Sequence, residues 1–341
     1  MTYKYTILFI CTLIFSVISC SPDEDDVVSV PENDRTEQQV IDNDSLVGYL
    51  NTHYYNSAEV NALANPTIVD VVITELLEDE TLPSDATLLM TAAELKTTTY
   101  LDVEYNYYIL EIKQGDGASS PRFCDKVRVK YAGSLTDGVE FEAKTTPVDF
   151  DLTGVIPGWS RVMPEFNGGT FTTYSDGTVS YEGYGMGVMF LPSGLGYFAA
   201  SRTSIPSYSN LVFKFELLQT ETADHDFDNI PTYMEVVEQG GLNLYDKDTD
   251  GDLIPDFNDS DDDGDGTLTK NELGVETYTE STKEALEAIL ENLDLDANQL
   301  ITPIKYNTDR NNFTANLITL VDTNENGTYN YLDDTESNTV E

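Results

Sequence analysis

Hydrophobic positions change texture several times along the chain. Residues 7–18 (ILFICTLIFSVI) are an unbroken apolar run of 12 residues. That is too short to cross a bilayer, which takes roughly 20, and it has the length of a signal h-region. Residues 20–45 are polar and acidic (PDEDD, PENDRTEQQ) and predict a solvated tether. Within 46–104, SLVGYLNTHYY and TIVDVVITELLEDE carry apolar residues near helical spacing and predict a small helical N-terminal segment. From 105 to 220 the runs YNYYILEI, KVRVKYAG and NLVFKFELL are rich in β-branched and aromatic residues and predict strands. Turn residues such as Thr136-Asp137-Gly138 punctuate them, and Asp176-Gly177 marks an added hairpin. Residues 221–243 predict a linker, 244–275 are Asp-rich loops, and STKEALEAILENL predicts a helical C-terminal segment over 276–341. The fold class expected is α+β.

Composition narrows the functions. The 341 residues hold 62 Asp+Glu against 17 Lys+Arg, a formal charge of −45. Nucleic-acid binding is excluded as the main role, because phosphate contacts need basic stripes. With 40% apolar residues the chain can bury real cores. Its two histidines, His53 and His225, argue against a His-rich zinc site or a serine-type triad. Cys124 sits in Pro-Arg-Phe-Cys-Asp with no histidine nearby, so it reads as a buried thiol rather than a nucleophile.

Val17-Ile18-Ser19-Cys20 at the end of the apolar run resembles a bacterial lipobox. The resemblance implies a signal peptide over 1–19, acylation of Cys20 and attachment to a membrane. Ser21-Pro22-Asp23-Glu24-Asp25-Asp26 resembles the surface-export signal of Bacteroidetes lipoproteins, although any acidic tether looks similar. The expected location is the cell envelope, as an outer-membrane lipoprotein, with the periplasmic and external faces both open.

Four blocks in order carry a second resemblance. They are Val127–Leu135 with Asp137-Gly138 and Phe141-Glu142; Val148–Leu152 with Gly154–Trp159; Leu191–Tyr197; and Ile205-Pro206 with Leu211–Leu218. This stretch resembles the FKBP-type peptidyl-prolyl cis-trans isomerases, placing such a domain at 105–220. The resemblance implies a bent antiparallel sheet over one short helix beginning near Pro157. It also implies an apolar cup of Tyr131, Phe141, Phe150, Val155, Ile156, Trp159, Tyr197, Ile205 and Phe213, with Trp159 as its floor. Ile156 N–H and the Tyr197 hydroxyl would be donors to the bound peptide, and Xaa-Pro segments of exported proteins the substrates. No cofactor is needed for isomerisation. Glu142 stands where the family has Asp, Phe198 where it has Gly, and Ser207 where it has a second Pro.

The Asp-rich stretch holds ten aspartates in residues 246–265. Asp261, Asp263, Asp265, Gly266, Thr267, Leu268 and Glu272 fit the EF-hand loop spacing, whose oxygens suit calcium. Asp246, Asp248, Asp250, Gly251, Asp252 and Asp256 resemble thrombospondin type 3 and dockerin-like loops. That register puts Phe257 at the twelfth position, so a ligand has to be borrowed, for which Asp256 and Asp259 are candidates, and Asp259, Asp261, Asp263 and Gly264 offer another partial frame. Asp322, Asn324, Asn326, Gly327 and Asp333 form a third, weaker loop. The bland alternative for all three is a solvated acidic linker. Taken together, the expectation is a monomeric, lipid-anchored isomerase with structural Ca²⁺. The rival is a non-catalytic proline-peptide-binding or adhesion lipoprotein with a calcium-stabilised spacer.

Overall fold

A central antiparallel sheet with two apolar faces organises the molecule. In the computed structural model the described residues are 32–174, 176, 178–236, 243–337 and 339–340. Cys20, the apolar run at 7–18 and the first part of the expected tether lie outside them. Helix α1 (Arg35–Thr52) comes first. It is followed by β1 (His53–Tyr55), α2 (Ser57–Ala62), β2 (Ile73–Glu75), β3 (Thr87–Leu88) and α3 (Leu89–Ala92). Then come β4 (Glu94–Tyr100), β5 (Val103–Lys113), β6 (Lys126–Leu135), β7 (Glu140–Asp151) and the short helix α4 (Pro157–Val162). A hairpin of β8 (Thr170–Thr173) and β9 (Val179–Glu182) precedes β10 (Gly185–Leu191) and β11 (Leu211–Glu221). The sheet order is β4-β5-β10-β11-β6-β7.

Strand periodicity splits the core in two. Tyr105, Tyr107 and Ile109 of β5, Met189 and Leu191 of β10, and Phe213, Phe215 and Leu217 of β11 face α4 and Trp159. The alternate residues Tyr108, Leu110, Met186, Val188, Phe190, Val212 and Leu218 face the other way. Every residue of β10 is buried, as expected of a strand covered on both faces. The second cover is Leu46 and Leu50 of α1 with Tyr55, Val60, Val71 and Leu89.

This cover corrects two expectations. Residues 35–45 are helix, not tether, and 46–104 is mostly short strands and loops rather than a helical segment. The buried stripe of α1 is Gln38, Gln39, Asp42, Leu46 and Leu50. Spacing of three and four puts them on one face, but three of the five are polar, which hides the amphipathic pattern. Asp34 caps the helix by accepting the N–H groups of Thr36 (2.9 Å) and Glu37 (3.0 Å). Asp42 accepts the Ser193 N–H at 2.8 Å and its hydroxyl at 2.6 Å, and Asn210 donates to the Asp42 carbonyl at 3.0 Å. The loop at 64–72 is sewn to the sheet by polar strand residues. Ile68 N–H donates to Glu216 (2.9 Å) and Lys214 donates to the Val71 carbonyl (3.1 Å).

The C-terminal part is also a sheet, not the helical segment expected. Strands β12 (Leu273–Glu280), β13 (Gln299–Ile301), β14 (Lys305–Asn307) and β15 (Asn312–Leu320) pair around β15. Only Lys283–Leu290 (α5) of the predicted helix forms. Leu317-Ile318-Thr319-Leu320 lies in β15, where antiparallel pairing with β12 and β13 on either side holds the run extended. Among the described residues, no helix is long and apolar enough to cross a membrane.

Asp42→Ala is expected to cost about 1–3 kcal/mol, the penalty for leaving buried donors unsatisfied. Asp44→Ala, at an exposed position of the same helix, should stay within about 0.5 kcal/mol. Urea unfolding of the two variants side by side checks this; equal midpoints would remove the role given to Asp42.

Candidate functional site

The aromatic residues singled out in the sequence converge beneath one end of the central sheet. Pro157 opens α4 at its first turn, where its missing N–H costs nothing, and the helix drives Trp159 under β6, β7 and β11. The Trp159 ring lies 5.2 Å from Phe150, 5.3 Å from Phe213 and 5.5 Å from Tyr131, centroid to centroid. The Phe150 and Tyr131 contacts are edge-to-face, the favoured geometry of such rings. Phe141 stands edge-on to Phe213 at 5.5 Å. Trp159, Tyr131, Phe213 and Ile205 are buried, and Phe141, Phe150, Val155, Ile156 and Tyr197 are half-buried around them. The arrangement is a floor with an accessible rim. Ile156 is the capping residue of α4, and its carbonyl accepts the Trp159 N–H at 3.1 Å.

Gly133 makes the close approach possible. A Cβ there would meet Phe141 at 2.5 Å and Phe213 at 2.7 Å. Phe215, absent from the predicted set, backs Trp159 at 6.2 Å; its place two residues after Phe213 was the available signal. None of the cup residues is a cysteine, histidine or lysine, and its side-chain polar groups are the hydroxyls of Tyr131 and Tyr197 and the Trp159 indole N–H. Cys124 is buried, and burial pushes its thiol up to about 12.

The three departures have structural accounts. Glu142 lies opposite Gly133 on β7 and still reaches Tyr131. Burial, then the Glu142 hydrogen bond and charge, raise the Tyr131 phenol. Lys144 pairs with Glu142 at 3.2 Å. Phe198 takes the left-handed φ of 50° that glycine adopts freely. It is held there by Arg35 of α1, whose guanidinium lies 3.9 Å from the ring centre, and by Tyr208 at 5.1 Å. Ser207 donates to the Ala199 carbonyl at 2.8 Å, closing the loop that a second proline would have stiffened. That loop presents Tyr197, with Arg202 4.9 Å above its ring.

The acidic loops form a second constellation. Asp261, Asp263 and Asp265 bring carboxylate oxygens within 4.8 Å of one another, as do Asp248, Asp250 and Asp252. Gly266 has φ 94°, and Thr267 N–H donates to Asp265 at 2.6 Å. Both Glu272 oxygens, and one each of Asp261, Asp263 and Asp265, are buried without a hydrogen-bond partner. The first loop is re-registered by the structure. Asp248 accepts the N–H groups of Gly251 and Leu253, which makes it the first position and Asp259 the twelfth. Asp246 is exposed outside the group. Asp256 is no ligand candidate: it accepts the Thr249 N–H and hydroxyl at 2.7 Å each and pairs with Lys247 at 2.9 Å. In the third loop Asn324 and Asn326 donate to Asp333 at 3.0 and 2.7 Å, and Asp322 accepts the Asn326 and Gly327 N–H groups. This loop is largely satisfied by itself. The loops end in 3₁₀ turns, and Asp261–Glu272 runs straight into β12, so the helix–loop–helix of an EF-hand is absent from these loops.

Residues 117–218 match the family model of FKBP-type peptidyl-prolyl cis-trans isomerase, and residues 225–300 match that of BamM C-terminal. The chain is 37% identical over 123 residues to the FKBP-type peptidyl-prolyl cis-trans isomerase FkpA of Aeromonas hydrophila, covering 34% of this chain and 39% of that protein. It is 36% identical over 112 residues to the FKBP-type 22 kDa peptidyl-prolyl cis-trans isomerase of Escherichia coli K12, covering 32% and 47%. Among solved structures it is similar to FkpA from Escherichia coli, at 30% identity and a TM-score of 0.29, covering 37% of this chain and 51% of that one. The chain thus spans less than half the length of these curated relatives. The central region carries the sequence of an FKBP-type peptidyl-prolyl isomerase domain, and the matched span contains every cup residue.

Burial and the neighbouring carboxylates raise Asp263 to about 6 and Glu272 to about 8. Without a cation, folding therefore takes up protons. The stability these groups contribute is complete below about pH 4 to 4.5 and is lost as pH rises through 6 to 8. Metal-free protein is expected to melt at a lower temperature at pH 8 than at pH 5. A circular dichroism melt with an equal or higher value at pH 8 would contradict this.

Proposed function

We propose that this protein is a peptidyl-prolyl cis-trans isomerase of the cell envelope that assists the folding of exported proteins. The observation that carries this reading is the ring set around Trp159 within a span of FKBP-type sequence. An Xaa-Pro bond prefers trans by little but rotates over a barrier of about 18–20 kcal/mol, because rotation breaks amide resonance. No proton has to move. The proline ring would rest on the Trp159 floor against Phe213 and Tyr131, excluding water from the amide. A twisted amide has a smaller dipole than a planar one, so a dry aromatic surround favours it relative to water. The Ile156 N–H and Tyr197 hydroxyl would hold the carbonyls on either side.

The acidic module is read as calcium-stabilised. The support is the orphaned, buried oxygens of Asp261, Asp263, Asp265 and Glu272, five hard ligands toward the six to eight that Ca²⁺ accepts. These residues would hold the ion, whose charge offsets the repulsion of the four carboxylates. The internally satisfied loop at Asp322–Asp333 would bind more weakly. Attachment through acylated Cys20 rests on the lipobox-like sequence alone, with outer-membrane placement as its corollary.

A protease-coupled Xaa-Pro peptide assay tests the catalytic reading. Phe141 lies at the half-buried rim, and Phe141→Ala should lower kcat/KM by about tenfold or more while leaving circular dichroism unchanged. Wild-type activity at buffer level would leave only peptide binding. In about 2 mM calcium, an ion held with a Kd near 10⁻⁴ M should add about 2 kcal/mol per site over chelated protein. Glu272→Gln should shrink that increment; an unchanged melting temperature on chelation would end the calcium reading. Metabolic labelling with a fatty acid should mark wild type and spare Cys20→Ala.

A further inference from the structure

The segment leaving β11 repeats the backbone of the acidic loops. In Asp248–Asp259, Asp261–Glu272 and Asp322–Asp333 the fourth and sixth residues are left-handed: Gly251 and Leu253, Gly264 and Gly266, Glu325 and Gly327. The ninth residue's N–H donates to the carbonyl just before the loop, and the twelfth's N–H to the ninth's carbonyl. Asp224–Glu235 does the same. Phe227 and Asn229 have φ of 66° and 84°. Thr232 N–H donates to Ala223 (3.0 Å) and Glu235 N–H to Thr232 (3.1 Å). The signal in the sequence was Asp224-x-Asp226-x-Asp228 with Glu235 twelfth. It is masked because Asn229, a residue tolerant of left-handed backbone, stands where the glycine is sought.

Loop geometry alone assigns no ligand; the carboxylates do. Asp226, Asp228, Glu235 and Asp262 bring oxygens within 4.8 Å of one another. Asp228 and Glu235 are 0% exposed and Asp262 is 2% exposed. Both oxygens of Glu235, both of Asp262, and one each of Asp226 and Asp228 have no hydrogen-bond partner. Lys247, whose ammonium is nearby, is engaged by Asp256. Buried carboxylates without compensation are expensive, and four of them converging on one point call for a cation.

We propose that Asp226, Asp228, Glu235 and Asp262 form a buried calcium site that fastens the C-terminal module to the isomerase domain. Oxygen ligands alone, four of them carboxylates and from two separate loops, suit the irregular shell of Ca²⁺ rather than the strict, water-rich octahedron of Mg²⁺. Three ligands come from the chain leaving β11, and the fourth from the second position of Asp261–Glu272. The same loop grips the isomerase domain. His225 contacts Asp151, the last residue of β7, at 2.9 Å and Thr232 at 2.7 Å, and Ala223 N–H donates to Asp125 at 3.0 Å. An ion here sets the chain that joins the two parts.

The test counts calcium on the full-length protein by equilibrium dialysis and elemental analysis. Glu235→Gln is expected to bind one ion fewer than wild type, and Glu235→Gln combined with Glu272→Gln two fewer. In wild type, calcium should slow amide exchange across 224–235 by about tenfold or more. An undiminished ion count in folded Glu235→Gln overturns the proposal. So does unchanged exchange in wild type, which decides the matter alone if the variant does not fold.

Discussion

The constraint on which the molecule rests is that its central sheet is apolar on both faces. β10 buries all its residues, sending Met189 and Leu191 toward Trp159 and Met186, Val188 and Phe190 the other way. A single layer over the cup side would leave the second face in water, at about 25 cal/mol for each Å². α1 and the strands and loops after it are therefore part of the isomerase domain's core rather than an appendage. Their attachment is polar as well as apolar. Asp42 binds the Ser193 backbone and hydroxyl, and Arg35 stacks on Phe198. Both contacts bear on the loop that carries Tyr197, so the rear cover also shapes the rim of the cup.

The acidic module is governed by the opposite imbalance. There, carboxylates crowd where apolar side chains would usually sit. The small cluster of Ile230, Leu273, Ile318, Leu320 and Tyr331 lies among loops whose buried oxygens have no protein partner. A low-dielectric setting makes such oxygens strong cation ligands and poor neighbours for one another. The net charge of −45 excluded nucleic acid, but its distribution says more, since ten aspartates fall within residues 246–265 alone.

Legibility differed between the two halves for physical reasons. The cup was readable because each ring stands in a contiguous strand or turn with distinctive neighbours, and strand periodicity puts Tyr131 and Phe213 on a common face. The cover was not, because Gln38 and Asp42 occupy buried positions of α1 and make its stripe look solvated. The C-terminal strands were read as helix because STKEALEAILENL forms a helix only locally, while β15 at the sheet's centre is apolar enough to suit either state.

The loops mark the boundary between what the chain dictates and what folding decides. Spacing alone determined that short carboxylates at alternate positions with a turn residue between them gather in tight loops, because those contacts are local. Register was decided by the folded backbone, since several frames of the same aspartates compete within one short stretch. It took the backbone to show that Asp248 begins the first loop, that Asp256 is spent on Thr249 and Lys247, and that Asp259 is twelfth. Tertiary structure alone brought Asp262 against Asp226, Asp228 and Glu235. Those residues are separated by a stretch of chain that no local rule spans. Whether distant carboxylates meet depends on how two sheets bury their faces against their neighbours.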